Sequence, residues 1–510
     1  MIKRLFSLLL VLVMLLPTFS AFGCTKTNGN TNVIRVCNCE DYIDEGLLLE
    51  FEQETGITVE YSTYGTNENL YNELVINPNS YDLVVPSEYM IEKLAEEGRI
   101  QKLDFTKLSG YKANVSPYIQ NRLDNLKFTV KDGEYVGEEV ALSEFMVGYM
   151  WGTMGWVYNT EYVTKEEVSS WGGVFENPAL SKKITIKDAV RDSFLVGLAL
   201  VYKQDLINAS DNATITEILN RTQQIDVDRV GEKLSSIKPM LYGFEVDSGK
   251  NDIVLGNINA YVAWSGDAAY AIDVAAGEVE DDDGTYLEGD SIRDLSYSIP
   301  QEGSNIWFDG FVMPSSSRNY DAVYKFLEFI SRPENVYRNM NYTGYTSMVV
   351  GGDFAEPIID EDGNTFNNLY DAVFLGWFDE SEDLEVGEGK TVDFSYLFGV
   401  PANTYTVTVS EESYGRLIAQ YPTEDIVARC AIMNNFDSDT LMVINDMWEK
   451  VKGETFDLWL IILIVALVVL LAIAIVVLRN KDKIFKTEFI AVQTKPRKKG
   501  YKVVKIEELS

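Results

Sequence analysis

From Leu458 to Leu478 the chain runs 21 residues without a charge. As one helix that run crosses the ~30 Å hydrocarbon core of a bilayer, which predicts a transmembrane helix over 457–478. Arg479, Lys481, Lys483 and Lys486 follow directly, then Lys495-Pro-Arg-Lys-Lys499, so that residues 479–510 hold ten basic and four acidic side chains. An excess of Lys and Arg beside a span orients it, which assigns this tail to the cytoplasm. Residues 25–455 carry a net charge of −43, and so the acidic bulk belongs on the outer face of the membrane.

The other end of the chain agrees. Residues 1–24 open with Met-Ile-Lys-Arg, continue as an apolar run to Leu16 and close on Ser-Ala-Phe-Gly-Cys24, the layout of a secretory signal. Ala21 and Gly23 before Cys24 fit a lipobox apart from Phe22. Two outcomes stand: a lipid on Cys24, or ordinary cleavage. The polar stretch within 25–33 then reads as a flexible tether.

Composition removes whole classes of function. With 46% apolar, 12% aromatic and 24% charged residues the chain is globular, and 510 residues call for more than one lobe. A net charge of −36 leaves no basic face for nucleic acid, while it steers cationic solutes inward. There is no histidine, which excludes Ser-His and Cys-His nucleophile pairs and the commonest metal ligand. The cysteines are Cys24, Cys37, Cys39 and Cys430. Cys37 and Cys39 share one face of a predicted strand, where a disulfide would be strained, and no zinc set can be assembled. No cofactor is expected.

Ile34–Asn38, Ile57–Ser62 and Tyr81–Val85 read as strands, alternating with helices over Asp44–Thr55, Asn67–Val75 and Met90–Glu97. Such alternation predicts an α/β fold with a parallel sheet, whose ligands bind at the carboxyl ends of the strands. A second α/β stretch runs from Val157 to about Ala263, and a helix from Asp321 to Ile330 stops at Ser331-Arg-Pro333. Two acidic inserts, Glu278–Gly284 and Asp360–Gly363, invite a calcium reading. An EF-type loop opens with an acidic ligand ahead of its glycine, but Val279 and Ile358 hold those places, so both are read as solvated turns.

The chemistry concentrates in Trp264-Ser-Gly-Asp267 and Trp307-Phe-Asp309. A ring face offers negative quadrupole and a carboxylate the countercharge, which together cage an organic cation. Asp188 and Asp192 form a third acidic pair, spaced i, i+4 on the expected helix around Lys187–Phe194. Other readings stay open: Tyr42 and Tyr89 as core tyrosines, Asp188 as a helix N-cap, Asp192 as a partner for a nearby base.

With Tyr81-Asp-Leu-Val-Val-Pro-Ser-Glu-Tyr89 the chain resembles the periplasmic spermidine/putrescine-binding proteins of ABC transporters, the PotD/PotF group. Similar stretches are Asn38–Phe51, Glu54-Thr-Gly56, Tyr61-Ser-Thr-Tyr64, Trp151-Gly-Thr153 with Gly155 and Asn159, Asp188–Phe194, the two tryptophan–aspartate motifs, Gly344-Tyr345 and Tyr421–Lys452. They cover about 32–350 and 415–453. The resemblance implies a two-lobed periplasmic-binding-protein fold (type II) with a hinge and central cleft: 34–145 with 265–329 in lobe 1, and 146–264 with 330–455 in lobe 2, including an acidic insert at 352–412. It implies a polyamine ligand, with Tyr42, Tyr89, Trp264 and Trp307 as cleft walls. Asp192, Asp267 and Asp309 would pair with ammonium groups, Asp188 would assist, Ser87 would hydrogen-bond an amine, and Asp41 would meet the far end. Where the family has an aromatic residue, often tryptophan, this chain has Cys39, which cannot stack; Glu40 beside it offers charge instead.

The leading expectation is therefore a non-enzymatic binding subunit that delivers polyamines to a separate ABC permease and ATPase, its C-terminal helix holding it beside them. The alternatives are a single-pass sensor ectodomain for a small cationic solute and a carboxylate-pair enzyme such as a glycosidase.

Overall fold

The computed structural model describes residues 32–453, apart from 278–292, 361–362, 383 and 386–387. The expected signal peptide, most of the 25–33 tether, the insert near 278–290, the 457–478 helix and the basic tail lie outside the described residues. Among the described residues, no helix is long and apolar enough to cross a membrane.

The first elements form where the local pattern places them. Glu45–Thr55 is a helix capped by Asp44, whose carboxylate accepts from the Gly46 N–H, and it buries Leu47, Leu48 and Phe51 along one stripe. Val33–Cys39 pairs in parallel with Thr58–Tyr64 on one side and with Leu83–Val84 on the other. The expected strand–helix–strand alternation and parallel sheet are both present.

That sheet continues through the molecule. Its order is Thr58–Tyr64, Val33–Cys39, Leu83–Val84, Ser304–Pro314, Met146–Asn159, Ala260–Trp264, Ile184–Lys187 and Leu241–Glu245. The two long central strands join the lobes. At one end Met146 and Val147 face Val312 and Phe311; beyond Thr153, Met146–Asn159 pairs instead with Ala260–Trp264. A third crossing is the short strand Cys430–Ala431, parallel to Ser304 and Asn305.

The buried cores divide the chain differently from the expected lobe boundaries. Helix Ser265–Ala276, expected in lobe 1, packs Ala268, Ala269, Ala271 and Val274 against Val157, Ile253 and Tyr261 of the second lobe. Its small side chains let it lie close on the sheet it has just left. Conversely, the helices Tyr320–Ile330 and Pro333–Thr343 and most of the 352–412 insert share the first lobe's core with Ile34 and Leu83, through Phe326, Val336, Phe354, Phe374 and Leu397. The end of the expected block returns: helix Tyr414–Gln420 places Ile418 and Ala419 in the core of Val157 and Tyr261, and helix Ser438–Lys452 buries Ile444, Met447 and Trp448 against Val230 and Leu234. The chain thus changes lobe along the two long strands and again after the insert, from helix Tyr414–Gln420 onward, not after Trp264. Within the insert, strands Asp353–Ile359 and Thr365–Asn368 pair antiparallel; residues 361–362 of the acidic segment between them lie outside the described residues.

Candidate functional site

Asp309 owes its position to a sheet irregularity. Where Ser304–Pro314 pairs with Met146–Asn159, Asp309 faces Met150 but Gly310 faces Gly148, and such a bulge re-aims a side chain. An isolated bridge joins Ser87 to Asp309, and the Gly310 N–H donates to the Pro86 carbonyl at 3.2 Å. The Tyr42 hydroxyl donates to Asp309 Oδ2 at 2.7 Å. Burial pushes the Asp309 carboxyl up to about 6, against the hydrogen bonds of Ser87 and Tyr42, which pull it down. Asp309 Oδ1 and the Trp307 indole Nε1 are buried without a hydrogen-bond partner among the described residues. Buried polar groups are nearly always bonded, so such atoms point toward a ligand or water. Nearby, Glu88 accepts from the Phe308 N–H at 2.9 Å, and burial pushes its carboxyl up to about 8, leaving it mostly protonated at neutral pH.

A chain of rings runs behind these groups. Trp307 lies 5.8 Å from Tyr345, whose ring meets Tyr42 edge-on at 4.8 Å. Two glycines make room for it. A Cβ on Gly266 would stand 2.2 Å from the Tyr345 ring, and one on Gly152 would stand 2.5 Å from the Trp307 ring.

On the second lobe, three strands end side by side in chemically active residues: Ile184–Lys187, Leu241–Glu245 and Ala260–Trp264. These are carboxyl ends, where open α/β sheets place their ligands. The Trp264/Asp267 pair already has a cation. Lys187 Nζ lies 4.0 Å from the Trp264 ring centroid, 3.3 Å from Asp267 Oδ2 and 3.8 Å from Glu245 Oε1, and it donates to the Val246 carbonyl at 2.7 Å. Burial pulls the Lys187 ammonium's pKa down, but Glu245, Asp267, Asp192 and Asp247 outweigh it and the net shift is upward, so the group stays charged. The other oxygen of Asp267, Oδ1, accepts from the Tyr345 hydroxyl at 2.9 Å. Asp192 sits in the first turn of helix Val190–Val201, nearly buried. Burial pushes its carboxyl up to about 6, opposed by Lys187 and by a hydrogen bond with Trp264.

The expected residues therefore fall into three groups. Tyr42, Ser87, Trp307 and Asp309 converge on the first-lobe side. Asp192, Trp264 and Asp267 converge on the second, and Tyr345 ties the two together. Cys39 lies among them: burial, with Asp309 and Asp267 adding to it, pushes its thiol up to about 12. The remaining three have other partners. Asp188 precedes its helix, which begins at Val190, so it shares no helical face with Asp192 and is not the N-cap; its N–H donates to the Glu245 carbonyl at 2.6 Å. Tyr89 bonds Glu68 at 3.2 Å and carries the Arg191 guanidinium over its ring at 4.8 Å. Asp41 is a rim residue, its side chain 71% exposed, and it meets Lys250 of the other lobe at 3.5 Å.

Lys187, Glu245, Arg191 and Tyr345 were not singled out from the sequence. The first two had a local signal, a charged residue ending a β-branched or apolar strand. Arg191 and Tyr345 had none beyond their motifs. Among the described residues, no group of acidic or cysteine side chains could hold a metal ion.

The family model described as bacterial extracellular solute-binding protein matches residues 47–350. The spermidine/putrescine-binding periplasmic protein of Salmonella typhimurium is 26% identical over 327 residues, 64% of this chain and 80% of that protein. The putrescine-binding periplasmic protein PotF of Escherichia coli is 28% identical over 325 residues, 62% of this chain and 77% of that one. The structure of the spermidine/putrescine ABC transporter substrate-binding protein PotD from Streptococcus pneumoniae superposes with a TM-score of 0.53 at 23% identity, covering 82% of this chain and 98% of that one, which establishes the two-lobed fold.

Proposed function

This chain belongs to the bacterial extracellular solute-binding proteins, and from that premise we propose that it is the substrate-binding subunit of a polyamine ABC transporter, which closes its two lobes on a spermidine- or putrescine-like cation. One observation carries the reading: Asp309, half-buried beside Tyr42 and Ser87, keeps a buried Oδ1 without a hydrogen-bond partner among the described residues while Oδ2 is held by Tyr42. A polyamine is a methylene chain with charged groups, so rings suit its stem and a carboxylate its ammonium. Each cation–π contact is worth about 0.5–2 kcal/mol. Unpairing a buried ammonium costs about 2–5 kcal/mol, so the carboxylates set affinity and the rings set fit. Names of the relatives in Salmonella and Escherichia support the ligand class.

In this reading Asp309 is the chief ammonium partner, with Asp192 and Asp267 lending charge from the opposite lobe. Tyr42, Trp307 and Trp264 form the walls, Ser87 positions Asp309, and Asp41 and Tyr89 border the cleft. The role is binding, not catalysis; transport requires a separate permease and ATPase. The signal segment 1–24 directs the bulk of the chain to the extracytoplasmic side. The 457–478 helix, with a lipid on Cys24 if one is attached, holds it at the membrane and raises its effective concentration beside the permease.

Calorimetry of the full chain in detergent against putrescine, spermidine and spermine tests this. Micromolar or tighter binding of at least one, weakened roughly 30-fold or more by Asp309→Asn, is expected. A folded protein silent toward all three would remove the polyamine assignment and leave the family membership standing.

A further inference from the structure

We infer that Lys187 is an internal occupant of one of the cleft's two ammonium stations, and that it makes this chain select diamines over triamines. The inference rests on the polyamine reading and says which members of that class the cleft accepts.

The two stations are built alike but stand differently. Each has a tryptophan and an aspartate from one short motif, and each aspartate takes a tyrosine hydroxyl on one oxygen: Tyr42 on Asp309 and Tyr345 on Asp267. At Asp309 the second oxygen has no hydrogen-bond partner among the described residues. At Asp267 the second oxygen receives the Lys187 ammonium at 3.3 Å, and the same ammonium lies over the Trp264 ring at 4.0 Å. Ring face and carboxylate, the two attractions that a ligand's ammonium would use there, are both taken by the chain itself. The lysine is not a passing visitor. Its side chain is 1% exposed, is anchored on the Val246 carbonyl at 2.7 Å and has Glu245 3.8 Å away.

A ligand ammonium arriving at this end would meet a fixed like charge in a poorly solvated place. A diamine has few enough charges to pair with Asp309 and with Asp192 of the opposite lobe. A triamine must either bring its third ammonium against Lys187 or leave it without a carboxylate. The cost attaches to the number of charges and not to the length of the chain.

Calorimetry of the full chain with a matched ligand set separates these effects. Putrescine and N-propylputrescine, which is spermidine with its terminal amine replaced by hydrogen, are expected to bind at least tenfold tighter than spermidine. Lys187→Met with Glu245→Gln removes one cation and one anion together, so the pocket keeps its balance of charge; the single Lys187→Met serves as the second variant. In either, the preference should shrink or invert, and Lys187→Arg should restore it. Spermidine binding as tightly as N-propylputrescine to the unaltered chain would overturn the inference while leaving the polyamine reading intact, and needs no variant to fold. An unchanged ratio in a folded Lys187→Met protein would overturn it too. Silence toward all three amines in every variant would defeat the polyamine reading itself.

Discussion

The Tyr42 hydroxyl donates to Asp309 Oδ2 at 2.7 Å, joining residues 267 positions apart across the first lobe. The bond fixes one oxygen and thereby aims the other. Replacing Asp309 with Asn keeps the shape and removes the charge. The expected result is a loss of amine affinity of about 2–5 kcal/mol, roughly 30-fold or more, with a melting temperature that holds or rises, because burial makes that charge costly in the free protein. Tyr42→Phe should cost less, about 1 kcal/mol. Calorimetry and thermal melts on both variants check the ranking; an Asn variant that binds like the parent would exclude Asp309 as the ammonium partner.

Binding and stability should respond to pH in opposite directions. Burial holds the carboxyls of Asp309 and Asp192 up at about 6 and that of Glu88 at about 8. A raised carboxyl binds more protons folded than unfolded between its ordinary value near 4 and its folded value. Within about pH 4–8 these three groups therefore stabilise the fold as pH falls. A cation needs the ionised form, so amine affinity should drop as pH falls through about 6. Titrating both quantities in parallel checks the sign, and Asp309→Asn should flatten much of the affinity curve.

Gly266 is expected to tolerate no side chain. An added Cβ would stand 2.2 Å from the Tyr345 ring, so Gly266→Ala should push that ring off and break its bond to Asp267. Overpacking of this kind costs about 1–3 kcal/mol. Denaturant unfolding should register it, together with weakened amine binding. A variant as stable as the parent would mean that the ring can move aside without loss.

The C-terminal segment makes a prediction for the cell. The intact chain should sediment with bacterial membranes, and a chain ending at Gly453 with Cys24→Ala should not. Release by only one of the two changes would identify which anchor holds it.

Much of the fold was legible because its signals are local. The helix at Glu45–Thr55 has its cap in Asp44 and its stripe in Leu47, Leu48 and Phe51, all within one window of sequence. The parallel strands followed from alternation alone. The lobe boundaries did not. Nothing near Ala268 or Ala271 says which of two sheets their helix will lie on, since small side chains suit either; the packing against Val157 and Tyr261 settled it. The register slip at Asp309 was likewise invisible, because it depends on pairing with a strand some 150 residues earlier.

By itself the sequence determined the kind of chemistry: a histidine-free, acidic chain, with tryptophan within three residues of aspartate in two places and one uncharged apolar run of 21 residues. Composition and spacing suffice for that, because charge and hydrophobicity are properties of residues. Which of the two aspartates is already paired with a lysine was a matter for the tertiary structure alone. Lys187 and Asp267 are 80 positions apart, and only parallel strands ending at one edge of the sheet bring the ammonium to 3.3 Å from the carboxylate. In a buried place the attraction between two charges is strong at that range and slight a few residues further off. Tertiary distance, not residue type, therefore decided that Asp267 is already paired with Lys187.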